Sequence, residues 1–161
     1  MSIKNLKPSA NSKFKQGYFQ VQYPEKYIGN PTEIIARSSW EQKFMNWCDN
    51  HPAVKRWSSE PVAIPYISPI DNRQHKYYVD FYAEVLKGGI IEKWLIEIKP
   101  NAQTKMPSKS LLEGSKTLKK QQQYNWALKT YIINATKFAA AKNFAESRGM
   151  RFGVAGENFL F

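Results

Sequence analysis

Two stretches of alternating apolar residues, joined by a glycine pair, constrain the fold of this chain more than any other feature. The first covers residues 77–85 and the second residues 93–100, and both are rich in aromatic and β-branched side chains. Such residues favour β-strands. Lys87-Gly88-Gly89 lies between the two stretches and is typical of a hairpin turn. The sequence therefore predicts an antiparallel pair of strands.

Charged residues interrupt both predicted strands: sixteen residues separate Asp80 from Glu97, and Lys99 follows on the same strand. Because side chains alternate across a strand, Glu97 and Lys99 share one face. By the same rule Asp80 faces away from Val79 and Phe81. Two carboxylates and a lysine can thus converge at one end of the pair, which suits metal-assisted cleavage of a phosphodiester. The alternative is a solvated Asp80 and a plain salt bridge between Glu97 and Lys99, because an unpaired buried charge is costly.

The net charge of +11 is concentrated towards the two ends of the sequence. Residues 1–31 carry five lysines and one glutamate, residues 32–102 are balanced, and residues 103–151 carry ten basic and two acidic side chains. This distribution favours a polyanion such as nucleic acid as the partner. A basic surface that serves solubility, or that contacts an acidic protein, is the alternative.

Cysteine content, histidine content and hydropathy exclude several classes of protein. The single Cys48 excludes an internal disulfide framework. With only His51 and His75 beside it, the chain has too few soft ligands for a structural zinc site. No apolar run approaches the length of a membrane span, so we expect a soluble, cytoplasmic protein.

The N-terminal residues differ in composition from the rest of the chain. Residues 1–31 are rich in lysine and asparagine, contain prolines and have little periodicity. They predict a basic arm with a short strand at residues 18–23, ahead of a single domain over residues 32–161. An arm that tracks a phosphate backbone and an ordered arm packed on the domain are equally consistent with this composition.

The remaining segments predict an α/β domain. Apolar residues at helical spacing indicate a helix over residues 32–50, whereas three prolines make residues 54–70 an irregular or edge strand. Residues 110–129 and 134–148 predict two more helices, and residues 150–155 a last strand. A strand that follows a helix needs a crossover, so we expect a mixed central sheet flanked by helices.

Glu41 is a third carboxylate, ahead of the predicted sheet. It ends the run Ser38-Ser39-Trp40-Glu41 at the start of the first helix. This spacing matches a capping box, in which Glu41 would only reach back to the backbone N–H of Ser38. The helix dipole also favours a glutamate in the first turn. From spacing alone, capping is the stronger interpretation.

The order of these residues resembles the PD-(D/E)XK nuclease superfamily. Glu41 on an early helix, Asp80 on a strand and Glu97-Ile98-Lys99 on the next strand carry the resemblance, which covers residues 33–156. It implies a restriction-endonuclease-like αβββαβ core. Val79 stands where the superfamily motif usually has proline, at a position that varies within the superfamily.

Two shorter stretches carry a closer resemblance. Residues 38–44 and 139–154 are similar to the head-completion nucleases of T4-like tailed phages and to the endonuclease subunit of Tn7-type transposases. Several superfamily branches place a glutamine and a tyrosine on the helix after the sheet. Residues 121–124 contain both residue types, but their spacing matches poorly and a solvated helix face is the better interpretation.

The resemblance implies a metal centre. Asp80 and Glu97 would hold one or two Mg²⁺ ions, for which Mn²⁺ can substitute, with the Ile98 carbonyl as a further ligand; hard oxygen ligands suit this metal. Glu41 would complete the site directly or through a water. Lys99 would orient or help activate the attacking water and offset charge on the phosphate.

A set of lysines beyond the second strand offers phosphate contacts. Such contacts weaken with salt and carry no base specificity. The predicted nucleic-acid-binding residues are Lys105, Lys109, Lys116, Lys119 and Lys120.

Together these inferences predict a Mg²⁺-dependent DNA endonuclease that acts in phage head completion. DNA and phage head or portal proteins would be its partners, in the host cytoplasm or on the virion. A non-catalytic protein that binds DNA ends or the head vertex is one alternative, and a strand-cleaving transposase subunit is another. The complete set of Asp80, Glu97 and Lys99 favours an enzyme, because a structural protein need not retain all three.

Overall fold

A four-stranded sheet between two helices forms the centre of the molecule. The computed structural model describes residues 16–113 and 117–160. The strands and α-helices are, in chain order, β1 (Gly17–Tyr18), β2 (Ile35–Ala36), α1 (Ser39–Asn50), β3 (Val54–Ser59), β4 (Ala63–Ile67), β5 (Gln74–Tyr78), β6 (Phe81–Lys87), β7 (Ile90–Ile98), α2 (Leu118–Glu146), β8 (Arg151–Ala155) and α3 (Glu157–Leu160).

The central sheet has the strand order β3-β6-β7-β8. The first three strands are antiparallel, and β8 runs parallel to β7 because α2 carries the chain across. Gly88 and Gly89, both at positive φ, make the predicted turn between β6 and β7. The succession α1, β3, β6, β7, α2, β8 is the predicted αβββαβ core, so the restriction-endonuclease-like α/β fold with a mixed sheet is confirmed.

The two faces of the sheet are buried under different helices. Phe44 of α1 packs in one cluster with Trp57 and Phe81, whereas Leu95 packs in a second cluster with Ala141 of α2. Burial of each large apolar side chain contributes about 1.5–3 kcal/mol. The even-numbered side chains at the end of β7 join the first cluster, so the predicted alternation along this strand is confirmed.

The predicted strand over residues 77–85 is wrong in one respect, because the chain changes partner within it. β5 pairs with β4 in a separate hairpin, and β6 pairs with β3 and β7 in the central sheet. At the break between them Val79 packs under α2 and Phe81 under α1, so these two residues do not share a face. Asp80 lies at this break, just before the residues of β6 that pair with β7.

Several boundaries differ from the sequence prediction. The helix predicted over residues 32–50 begins only at Ser39, because residues 35–36 form β2 and Ser38 caps the helix. The strand predicted over residues 93–100 spans Ile90–Ile98.

The two predicted helices over residues 110–129 and 134–148 are one helix, α2, because no glycine or proline interrupts it; the Thr117 hydroxyl caps its start by accepting from the N–H of Lys120. Residues 54–70 form two strands, β3 and β4, which separate at Glu60, a residue with φ of 46°.

The part of the N-terminal segment that the structure describes packs on the domain. The Lys26 ammonium donates to the carbonyls of Cys48, Asp49 and His51 at the end of α1, where the helix dipole favours a cation. The predicted strand over residues 18–23 is wrong, since the strand that forms here, β1, ends at Tyr18. Residues 1–15 lie outside the described range, and the domain boundary at residue 31 stays a prediction.

The hydropathy of the helices can be compared with the lack of long apolar runs in the sequence. Across the described ranges, no helix combines the length and the apolar character needed to cross a bilayer.

Candidate active site

Asp80 and Glu97 meet where regular pairing between β6 and β7 ends. The last paired residues are Phe81 and Ile96. Beyond them, the backbone N–H of Ile98 donates to Oδ2 of Asp80 at 2.8 Å, so the aspartate side chain takes the place of a strand partner. The strand break and the hairpin thus bring together two carboxylates that are far apart in sequence.

Glu97 is buried, with 7% of its surface exposed. The Tyr77 hydroxyl donates to Oε2 of Glu97 at 2.5 Å, and the Lys99 ammonium lies 3.2 Å from Oε1. Both oxygens therefore have a partner, which offsets the cost of burying the charge. The salt bridge that the sequence offered as an alternative is present, and it lies inside the same cluster as Asp80.

The electrostatics of Asp80 follow from its neighbours. Burial, and then the negative charge of Glu97, raise the pKa of the Asp80 carboxyl well above its usual range, while the N–H of Ile98 opposes this shift. Across the described residues, Oδ1 of Asp80 accepts no hydrogen bond. The pair therefore concentrates negative charge that Lys99 neutralises only in part.

These donors fit a divalent cation with a preference for oxygen. Asp80 supplies a free carboxylate oxygen beside Glu97. The Ile98 carbonyl as a further ligand stays a prediction. Hard oxygen ligands of this kind suit Mg²⁺. Within residues 16–113 and 117–160 no group of three or more acidic, histidine or cysteine side chains is close enough to hold a metal, so the side-chain donors here are two.

Glu41 acts as a helix cap in this structure. Its N–H donates to the Ser38 hydroxyl at 3.1 Å, and its Oε2 accepts from the backbone N–H of Arg37 at 2.9 Å, one residue earlier than the capping box predicts. Burial raises the pKa of the Glu41 carboxyl. Its charge also contributes to the raised pKa of Asp80, so Glu41 belongs to the electrostatic surroundings of the site. Its metal ligation stays a prediction.

Helix α2 contributes two site residues that the sequence reasoning missed. Asn134, 6% exposed, accepts a 3.4 Å hydrogen bond from Lys99 through Oδ1, and its buried Nδ2 has no partner within the described part of the chain. Lys137 lies over the Tyr77 ring at 5.6 Å. Burial and the charge of Lys99 lower the pKa of Lys137, while Glu97 and Asp80 oppose this shift.

A signal for these residues was available in the sequence. Asn134 and Lys137 are three positions apart, which places them on one face of a helix, within a stretch that is otherwise mostly apolar. Residues 121–123 are instead exposed, in agreement with the solvated face predicted for them.

The predicted phosphate contacts lie along the chain that follows β7. Lys105 and Lys109 are exposed in the segment before α2, and Lys119 is exposed in its first turn. Lys120 donates to the carbonyl of Glu113 at 3.3 Å. Lys116 lies outside the described residues. Their binding of nucleic acid stays a prediction.

Comparisons with known proteins find similar sequences. A family model for the TnsA-like endonuclease N-terminal domain matches residues 51–157, a range that contains Asp80, Glu97 and Lys99 but not Glu41. The head completion nuclease of Enterobacteria phage T4 is 33% identical over 137 residues, which cover 84% of this chain and 86% of that protein. No solved structure matches the chain.

Proposed function

The chain belongs to the family of TnsA-like endonuclease N-terminal domains, and on that premise we propose that it is a Mg²⁺-dependent endonuclease that hydrolyses DNA phosphodiesters at Asp80, Glu97 and Lys99. One observation carries the proposal. Two carboxylates share a buried corner of the sheet with one lysine in contact, and the pKa of Asp80 is raised as a result. Such perturbed groups are typical of reaction centres.

DNA is the substrate that the charge of the chain favours. The formal net charge is +11. The exposed Lys105 and Lys109 lie between the strand that bears Glu97 and α2, and the exposed Lys119 lies in the first turn of α2. Lysines at such positions bind phosphates regardless of sequence, and their contribution falls as salt rises.

Asp80, Glu97 and the Ile98 carbonyl would hold the metal. When bound, Mg²⁺ supplies Lewis-acid polarisation of the scissile phosphate, and Mn²⁺ can take its place. Oδ2 of Asp80 is held by the N–H of Ile98, which leaves Oδ1 for the metal. The Tyr77 hydroxyl fixes the Glu97 carboxylate in place, so that the ligand geometry is set before substrate binds.

In this proposal Lys99 would act on the attacking water and the phosphate. Its ammonium is held between Oε1 of Glu97 and Oδ1 of Asn134, which leaves one of its three N–H donors for the attacking water or a phosphate oxygen. Lys137 supplies a second positive charge close by. Negative charge that develops on the phosphate is stabilised by such preorganised cations.

Glu41 would complete the site through a water, because its Oε2 is committed to the N–H of Arg37. The biological setting that we propose is phage head completion, in which the nuclease would process DNA at the head with head or portal proteins as partners. The similarity to the head completion nuclease of phage T4 supports this setting. The family description supports a transposase-type strand-cleaving subunit as a second candidate.

The test is cleavage of supercoiled plasmid in Mg²⁺ by the wild type, Asp80→Asn and Lys99→Ala. Glu92→Gln is the matched control, because Glu92 lies on the same strand and bonds to Trp94 outside the site. We expect nicking by the wild type and by Glu92→Gln, and nicking that is slower by about 10²-fold or more in the other two. Equal nicking by all four would overturn the site. DNA binding without cleavage, in either Mg²⁺ or Mn²⁺, would establish the non-catalytic DNA-end-binding protein instead.

A further inference from the structure

A groove lies beside the candidate active site, between the segment that follows β7 and helix α2. Its cavity measures ≈ 410 Å³. It is lined on one side by residues 102–103, 105–108 and 110, and on the other by Trp126, Ala127, Thr130 and Tyr131. Trp126 is 71% exposed and Met106, across the groove, is 63% exposed. Large apolar side chains that line an open cavity together mark a surface for contact.

The charge around this groove indicates which class of ligand is complementary to it. Apart from residues 114–116, which lie outside the described part of the chain, residues 102–131 contain five lysines and one glutamate. Lys105 lines the cavity itself. A polyanion with flat apolar groups is complementary to an aromatic ring set among lysines. Single-stranded nucleic acid has this chemistry, since its phosphates meet the lysines and its unpaired bases stack on aromatic side chains.

Both walls of the groove are connected to Lys99, the proposed catalytic lysine. On one wall the chain passes from Lys99 through Pro100 into the lining segment. On the other wall Thr130 precedes Asn134, the partner of Lys99, by one helical turn on the same face. Trp126 lies about 12 Å from Asn134 along the helix. This distance is about three nucleotides at the 3.4 Å rise of a stacked strand.

We propose that this groove binds an unpaired base close to the cleaved phosphate, with Trp126 as the stacking platform. The substrate class would then be DNA with a single-stranded tail or branch beside the cut. A fully paired duplex can contact the lysines, but it hides the faces of its bases within the stack and offers Trp126 nothing to bind. This inference rests on the proposed function, because it takes DNA as the substrate.

The experiment measures DNA binding in EDTA, where no cleavage occurs, by fluorescence anisotropy of the full chain. The probes are a blunt duplex and duplexes with a short 5′ or 3′ single-stranded tail, matched in their number of phosphates. Trp126→Ala is compared with Trp126→Phe, which keeps an aromatic face. The control is Leu118→Ala on the same helix, because Leu118 is 73% exposed and does not line the groove. Met106→Ala is a second groove variant.

We expect the wild type to bind one of the tailed probes about tenfold more tightly than the blunt duplex, as a stacked base would produce. Trp126→Ala should lose that advantage and keep its affinity for the blunt duplex. Trp126→Phe and Leu118→Ala should retain most of the advantage, and Met106→Ala should lose part of it. A 2-aminopurine in the tail should be quenched by the wild type and not by Trp126→Ala.

Two results would overturn the proposal: equal affinity of the wild type for all probes, or an equal loss on every probe in Trp126→Ala. In either case, Mg²⁺-dependent plasmid nicking would still stand, so the proposed function would survive. Failure of the wild type to bind any probe would also overturn the groove proposal. If the wild type in addition failed to nick plasmid in Mg²⁺, DNA would be removed as the substrate and both proposals would be overturned together.

Discussion

The two faces of the central sheet are built from the same strands but differ in what they bury. Beneath α1 lie closely packed rings and aliphatic side chains, among them Phe44, Trp57 and Phe81. Beneath α2, apolar packing around Leu95 adjoins the buried polar group of Glu97, Lys99 and Asn134. Polar burial costs stability unless each group has a partner. The α1 face therefore stabilises the fold, and the α2 face is the one to which we assign the proposed chemistry.

Because side chains alternate along β7, one strand contributes to both faces. Ile96 and Ile98 secure it against α1, and this packing fixes the position of Glu97 and Lys99 on the opposite face. A site held in this way on a regular strand is more exact than one held on a loop. We therefore predict that substitutions on the α1 face mainly lower stability, whereas substitutions on the α2 face mainly lower activity.

The largest expected effect is on stability, from Phe81→Ala. Phe81 is 1% exposed and packs on Phe44 with ring centroids 4.7 Å apart, so its truncation should lower the free energy of unfolding by about 3–5 kcal/mol. Chemical denaturation followed by tryptophan fluorescence measures this change. A loss below about 1 kcal/mol, the level typical of surface positions, would contradict the role assigned to the α1 face.

Asp80→Asn should have the opposite outcome, a loss of activity without a loss of stability. The amide can still accept from the N–H of Ile98 and no longer repels Glu97, so unfolding should require as much denaturant as in the wild type, or more. The rate of plasmid nicking should fall by about 10²- to 10³-fold, equivalent to about 3–4 kcal/mol of transition-state stabilisation. Loss of both stability and activity would mean that the two faces are not separable.

The third effect concerns pH in the absence of metal. Because burial and Glu97 raise the pKa of Asp80, the folded state binds this proton more tightly than the unfolded state does. The free energy of unfolding should therefore fall as pH rises from about 4 through the raised pKa. Denaturation of the wild type and of Asp80→Asn across this pH range measures the contribution of Asp80. Only the wild type should show the part of the pH dependence of the unfolding free energy that comes from this carboxyl. Parallel curves would contradict the shift.

The smallest expected effect is at Glu41, which lies at the start of α1. Glu41→Ala removes the acceptor for the N–H of Arg37 and should cost about 1 kcal/mol of stability. Glu41→Gln keeps an acceptor and should restore that stability. Thermal unfolding and plasmid nicking of both variants separate the two roles: nicking that is lost in Glu41→Gln, with stability kept, would establish a role for the charge in catalysis.

Much of the α1 face and of β7 could be predicted, because their patterns are regular. The Gly88-Gly89 turn sets the hairpin, and strict alternation in β7 assigns Glu97 and Lys99 to one face. The break before Phe81 could not be predicted from alternation, since residues 77–85 read as one strand whether or not the chain changes its partner. Tertiary pairing decides that point.

The α2 side of the site was harder to predict for a related reason. Asn134 meets Lys99 only because α2 is one uninterrupted helix that crosses the sheet, whereas its sequence changes from polar to apolar and reads as two helices. Tyr77 was seen as a strand residue, and its hydrogen bond to Glu97 depends on β5 leaving the central sheet. The polar residues of α2 stand out on one helix face, but no local pattern shows which distant segment they contact.

The most direct test of the central claim, that Asp80 and Glu97 form a metal centre, is Mn²⁺ binding measured by electron paramagnetic resonance of the DNA-free protein. The wild type and Glu92→Gln should bind Mn²⁺ saturably, and Mg²⁺ should displace it. Asp80→Asn should lose this binding, because one of the two carboxylates is gone. Undiminished Mn²⁺ binding by Asp80→Asn would contradict the claim.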